Sequence, residues 1–154
     1  MARKPENIHV YLYRKNAGNE IEYAIFQRSD DPNCWQGVSG GVEDGETIEQ
    51  AALRESFEEA GTSLSAPIYG LDTVSYLPAD IFSEHTAWGK DIVVCPMYFF
   101  AMSFDGNIIL SYEHTEVRWL TYQEAYNLVY WHDQKTALWE LNQRLERGNL
   151  IRTA

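Results

Sequence analysis

The sequence predicts an α/β fold in which helices cover a mixed β-sheet, and three observations predict it. Runs rich in β-branched and aromatic residues fill the first half, led by residues 8–13 (IHVYLY) and 22–27 (EYAIFQ). A helix with start and stop signals follows at residues 47–61, and further strand-like runs come after it at 68–77 and 91–103. The chain closes on helical patterns, so strands and helices interleave in the order that a layered sheet accommodates. At 154 residues, 45% hydrophobic and 14% aromatic, one domain over residues 1–154 can bury a core without disulfides.

The first two runs flank residues 16–19 (NAGN), which reads as the turn of a hairpin. Residues 40–62 (GGVEDGETIEQAALRESFEEAGT) carry seven acidic residues against one basic residue, Arg54. Thr47 with Gln50 makes a capping box, and Gly61 suits a left-handed stop after the last turn. On a helical wheel Leu53, Phe57 and Ala60 share one side, while Glu55, Glu58 and Glu59 fall within roughly 100° elsewhere. One face is expected to pack, and the other to be exposed and acidic.

Three carboxylates at this spacing repel, by a few tenths of a kcal/mol per close pair. Glu58 and Glu59 also sit near the helix C-terminus, where negative charge is unfavourable. The cluster becomes favourable when a hard divalent cation lies among the oxygens, and Mg²⁺, which also binds phosphates, suits it. A solvated acidic helix face is the alternative reading of the charge pattern.

Beyond this helix the strands at 68–77 and 91–103 are separated by a loop around 82–90. Short strands at 108–110 and 116–120 surround Tyr112-Glu113-His114. Thr121 with Glu124 forms a second capping box, and Asp133 opens a last helix with Leu138, Leu141 and Leu145 as a core stripe. Cys34 and Cys95 lack metal-type spacing, as do the four histidines, and no P-loop, GxGxxG or GxSxG is present. A net charge of −11 opposes binding to nucleic acid polymers or anionic membranes. The longest apolar run, 92–102, is broken by Pro96 and too short to span a bilayer. With no apolar leader at the N-terminus, residence is expected to be cytoplasmic.

Gly40, then five residues and Glu46, then seven residues and Arg54-Glu55-Ser56-Phe57-Glu58-Glu59-Ala60-Gly61-Thr62 together resemble the Nudix box of hydrolases that act on nucleoside diphosphate-linked compounds. Ser56 and Thr62 depart from it, standing where aliphatic residues are usual. The resemblance implies a Nudix-type α/β/α sandwich with a mixed β-sheet, and a helix that binds Mg²⁺ or Mn²⁺ and activates water toward a diphosphate. It implies Glu55, Glu58 and Glu59 as metal ligands or base, Arg54 as the residue orienting a carboxylate, and the Gly40 carbonyl near the metal.

Gln27-Arg28, Asp30-Asp31-Pro32, Trp35-Gln36 and Ser39-Gly40 resemble a narrower group, the bacterial dihydroneopterin triphosphate pyrophosphatases, also described as dATP pyrophosphohydrolases. By that resemblance Arg28 contacts phosphate, and Arg3 and Ser39 approach the substrate. Asp80, Ile81 and Phe82 lie near its base-binding end, where Phe82 or Trp88 could stack on a ring. Glu113-His114 before Trp119-Leu120 resembles the group's pattern of a distal metal-binding glutamate.

The expected activity is Mg²⁺-dependent release of pyrophosphate and a monophosphate from a nucleoside or pterin triphosphate, by a monomer or homodimer. Dinucleoside polyphosphates or oxidised dNTPs are alternative substrates, and a non-catalytic nucleotide-binding module is a further reading.

Overall fold

The computed structural model describes residues 2–153; Met1 and Ala154 of the expected 1–154 domain lie outside the described residues. Eight strands form one mixed sheet: β1 (Arg3–Lys15), β2 (Ile21–Arg28), β3 (Trp35–Gln36), β4 (Val38–Glu43), β5 (Ile68–Pro78), β6 (Val94–Ser103), β7 (His114–Thr121) and β8 (Arg152–Thr153). The order is β3-β2-β1-β6-β5-β8, with β4 added to β1 and β7 to β2. β1 is the hub. It pairs antiparallel with β2 through its C-terminal half, antiparallel with β4 through Asn7–Val10, and parallel with β6 from Asn7 to Tyr13.

Alternation along β1 explains the layers. Ile8, Val10 and Leu12 point to one side and pack with Ala51, Ala52 and Ala60 of helix α1 (Ile48–Ala60), together with Phe100 and Met102. Tyr11 points to the other side, where Tyr23, Ile25 and Phe99 meet helices α2 (Tyr122–Leu128) and α3 (His132–Arg147) through Ala125, Leu138 and Leu141. Helices therefore cover both faces, and the α/β/α sandwich with a mixed sheet is the observed fold.

Local signals translate directly at the helix ends. Thr47 Oγ1 accepts from Gln50 N at 3.1 Å while Gln50 Oε1 accepts from Thr47 N at 2.9 Å. Gly61 ends α1 at φ 80°, the left-handed region a glycine enters without penalty. The Thr121–Glu124 box starts α2 in the same manner.

Three expectations are corrected. Residues 108–110 form no strand: Ile109 N donates instead to Ala60 O at 3.1 Å, satisfying a carbonyl left open at the end of α1. The loop expected at 82–90 is ordered as 3-10 turns at Ala79–Ile81 and Ser83–Trp88, held by Trp88 Nε1 donating to Arg3 O at 2.7 Å. Phe57 does not pack but is 51% exposed, because α1 lies so close to the sheet that its buried face is made of Ala51, Ala52, Ser56 and Ala60.

That close packing also accounts for the two departures from aliphatic residues. Ser56 and Thr62 are both buried, and neither Ser56 Oγ nor Thr62 Oγ1 has a hydrogen-bond partner. A buried hydroxyl without a partner costs about 1 to 3 kcal/mol. Ser56→Ala is therefore expected to stabilise the protein by about 1 kcal/mol and to raise Tm by roughly 2 to 4 °C. Thermal unfolding of the two proteins followed by circular dichroism checks this; a lower Tm for the alanine variant contradicts it.

Candidate active site

The site forms where α1 crosses β4. A Cβ added to Gly40 would lie 2.3 Å from Glu55 Cδ, so the Glu55 carboxylate rests directly on the bare backbone of β4. Arg54 holds that arrangement from the side. Its Nε and Nη2 bind the Glu46 carboxylate at 2.7 and 3.0 Å, Nη2 also donates to Gly41 O at 2.9 Å, and Nη1 reaches Glu55 Oε1 at 2.8 Å. The guanidinium holds the Glu46 carboxyl below the usual carboxylate range. Arg54 thus ties the loop before α1 to the helix and to β4, and it turns Glu55 toward Gly40.

Glu59, expected on an exposed face, is 1% exposed. The wheel places it beside the other acids, but β4 and the start of β7 close over it. Its Oε1 lies 3.7 Å from His114 Nε2, and its Oε2 is buried without a hydrogen-bond partner. Burial pushes the Glu59 carboxyl far above its usual range, with Glu55 and Glu113 adding to the shift and a backbone hydrogen bond from Ser39 opposing it. Glu113 is also raised, by burial first and then by Glu55 and Glu58. Burial lowers His114 to about 4, so its ring is neutral at pH 7.

Ligand atoms of Glu55, Glu59 and Glu113 all lie within 4.8 Å of one another. Three hard oxygens at this separation, one of them buried and unsatisfied, fit a divalent cation, whose charge would replace the missing partner and bring the raised Glu59 and Glu113 carboxyls down. Glu58 stands outside the trio, 52% exposed, with Oε2 3.3 Å from Arg54 Nη1.

A cavity of about 230 Å³ opens beside the trio, with Arg28, Ser39, Glu59, Glu113 and His114 in its wall and Tyr112 at its mouth. Arg28 is held in a two-pronged pair by Asp30, at 2.7 Å for both bonds, and Ser39 Oγ accepts from Gln36 Nε2 at 2.9 Å. A larger hollow of about 450 Å³ on the outer side of Arg54 is open and lined by Glu43, Glu46, Leu53 and Leu64, without any of the three clustered carboxylates.

Arg3 and Phe82 meet each other rather than this cavity. The Arg3 guanidinium stacks 4.1 Å over the Phe82 ring and pairs with Glu84 at 3.5 Å, in space left by Gly41, where a Cβ would strike Arg3. Asp80 and Ile81 lie in the adjoining 3-10 turn and are exposed. The structure thus brings Gly40, Arg54 and Glu55 together, joins Glu59, Glu113, Arg28 and Ser39 around one cavity, and leaves Arg3, Asp80, Ile81 and Phe82 outside its wall. Sequence reasoning gave no role to Asp30, Gln36 or His114. A buried histidine following an acidic residue at a strand start was the available signal for the last.

Carboxylates gathered beside a polar cavity that also holds an arginine suit enzymes that handle phosphorylated small molecules. Residues 4–139 match the NUDIX domain, and the chain belongs to that family: it is a Nudix hydrolase acting on phosphoric anhydrides. It is 33% identical over 134 residues to the asymmetrical bis(5'-nucleosyl)-tetraphosphatase of Sus scrofa, covering 87% of each chain. It is 30% identical over 149 residues to the dihydroneopterin triphosphate diphosphatase of Escherichia coli (strain K12), covering 94% of this chain and 92% of that one. A crystal structure of a candidate NUDIX hydrolase from Listeria monocytogenes superposes with a TM-score of 0.84 at 35% identity, over 96% of this chain and 98% of the other.

Two outcomes are expected. Gly40→Ala pushes a methyl into the flexible end of Glu55, so hydrolytic kcat should fall at least about tenfold while Tm moves by only a few degrees. Steady-state rates and a thermal melt measure both, and full activity contradicts the contact. In metal-free protein the folded Glu59 keeps a proton that the unfolded chain loses around 4.5, so stability falls as pH rises above that value. Glu59→Gln has no such proton. In EDTA its stability advantage should therefore widen from about pH 5 to about pH 8, by up to about 1.4 kcal/mol per pH unit, as read by urea unfolding.

Proposed function

We propose that this Nudix hydrolase is a Mg²⁺-dependent pyrophosphohydrolase that converts a nucleoside or pterin triphosphate to its monophosphate and pyrophosphate. The observation that carries the reading is the clustering of Glu55, Glu59 and Glu113, two of which, Glu59 and Glu113, line the same cavity as Arg28 and Ser39. Glu55, Glu59 and Glu113 would hold Mg²⁺, with Mn²⁺ as a substitute and the Gly40 carbonyl alongside. When bound, the cation neutralises phosphate oxygens and lowers the pKa of water.

The chain's own residues do the rest. Arg54 fixes Glu55 by its 2.8 Å bond, so the ligand does not rearrange during the reaction. Arg28 presents its guanidinium edge to a phosphate after exchanging the Asp30 carboxylate for it. Ser39 Oγ, oriented by Gln36, offers a hydrogen bond to the same chain of phosphates. Glu58 Oε2, outside the trio, is the carboxylate left to accept the proton of the attacking water. Arg3, Asp80, Ile81 and Phe82 belong to a second rim of the site on this reading, nearer the leaving nucleoside or pterin.

Single-domain organisation over the whole chain and a small-molecule substrate fit this reading, and the net charge of −11 disfavours a polymer. The 33% identity to the Sus scrofa tetraphosphatase supports a second reading, in which the substrate is a dinucleoside polyphosphate. A panel with Mg²⁺ and dihydroneopterin triphosphate, dATP, 8-oxo-dGTP and diadenosine tetraphosphate, with products identified, separates them: preference for the last, or release of orthophosphate, overturns the first.

The Glu113 role is checked against its neighbour. Glu116 pairs with Arg118 at 2.7 Å on the surface and takes no part in the trio. Glu113→Gln should cut kcat at least about tenfold or shift the Mg²⁺ activation curve to higher concentration, while Glu116→Gln follows the wild type. Equal, near-wild-type Mg²⁺ curves for the two variants remove Glu113 from the site.

A further inference from the structure

Tyr112 is 89% exposed at the mouth of the 230 Å³ cavity. It is the most exposed of the large hydrophobic side chains among the described residues. The backbone beneath it is nevertheless fixed: Ser29 Oγ donates to Tyr112 O at 2.6 Å, and Ser29 N donates to Glu113 O at 2.9 Å. A ring held open to solvent is thus anchored one residue from a member of the carboxylate trio.

The other groups around this cavity suit phosphate and metal. Arg28, Ser39, Glu59 and Glu113 are charged or polar, and the His114 ring is buried and packed against Phe26 at 4.9 Å between centroids. Nothing else in the wall offers an open apolar face to a heterocycle. Phe82 and Trp88, the residues expected to stack on a ring, both lie outside the wall: the Arg3 guanidinium covers Phe82 at 4.1 Å, and Trp88 packs beside Phe82 at 6.1 Å with its Nε1 donating to Arg3 O. Of the three aromatic candidates, Tyr112 has the free face and the position beside the carboxylate trio.

We propose that Tyr112 is a specificity-determining residue that stacks on the planar ring of a purine or pterin substrate while the phosphates occupy the cavity. This rests on the triphosphate reading above. Stacking on an aromatic ring tolerates different heterocycles, and removing it weakens binding by roughly fivefold to a hundredfold. Its contribution is the same in the ground and transition states, so it acts on KM and leaves kcat alone. The phenol hydroxyl has no part in it.

The test compares wild type, Tyr112→Ala and Tyr112→Phe with Mg²⁺, on dATP and on tripolyphosphate, the latter as a ringless substrate or competitive inhibitor. Tyr76→Ala, at a 65% exposed tyrosine on β5 outside the cavity, serves as the control. Tyr112→Ala should raise KM for dATP about tenfold with kcat within about twofold, and Tyr112→Phe should stay within about twofold of wild type in both. Tripolyphosphate constants should not change in any variant. An unchanged KM for dATP in Tyr112→Ala overturns the proposal, and so does an equal loss with tripolyphosphate, which would mean that Tyr112 acts through the Glu113 loop. Should wild type act on tripolyphosphate and on no ring-bearing triphosphate, the triphosphate reading itself falls and the Tyr112 proposal with it.

Discussion

A carboxylate buried without a partner, Glu59 Oε2, is the constraint around which this molecule is built. Its isolation requires α1 to lie against β4 closely enough for Gly40 to touch Glu55, and the alanines and serine of the buried helix face allow that approach. Repulsion among Glu55, Glu59 and Glu113 works against the packed state, so the surrounding elements must be stiff enough to resist it. Arg54 provides stiffness on one side through four partners, and on the other the pairing of β2 with β7 holds Glu113 and His114 in place. The crowding that raises the Glu59 and Glu113 carboxyls is the crowding that would gather a cation, and Arg54 and β7 hold the three carboxylates close together for it.

Much of this was legible where the physics is local. The capping boxes at Thr47 and Thr121 and the left-handed stop at Gly61 follow from side chains within four residues of the backbone groups they satisfy. The alternation of Ile8, Val10 and Leu12 against Tyr11 set the two faces of the sheet. What escaped is tertiary. A helical wheel groups Glu55, Glu58 and Glu59 by angle, yet the packing of α1 on the sheet buries Glu55 and Glu59 and leaves Glu58 in solvent. The apolar residues at 108–110 have strand propensity, but the open carbonyl of Ala60 claims their backbone. Glu113 could be placed by family resemblance and not by charge pattern, because its neighbours in space are over fifty residues away in sequence.

Arg3 and Arg28 show how the same residue type takes different states around one site. Arg28 is paired with a surface carboxylate that a phosphate can replace, whereas Arg3 is wedged between Gly41 and Phe82 with its Nε buried and unpartnered. A guanidinium stacked on an aromatic face is held by quadrupole attraction as well as by packing, so exchange at Arg3 is more demanding than at Arg28. The two arginines therefore differ in what each would have to give up to meet an anion: an exposed carboxylate at Arg28, a packed aromatic face at Arg3.

The parallel pairing of β1 with β6 carries a consequence for how the chain reaches this state. Asn7 finds its partner in Met97, across the whole of the β2–β5 segment and α1. During synthesis the β1–β2 hairpin and α1 emerge early, but the central strand keeps an open edge until β6 (Val94–Ser103) has left the ribosome. Closing that long loop carries an entropy cost that a local element such as the acidic helix does not, and non-local pairing of this kind slows folding. The nascent chain spends that interval with an apolar strand edge exposed, and this edge is the place where a chaperone or an aggregating neighbour would first take hold.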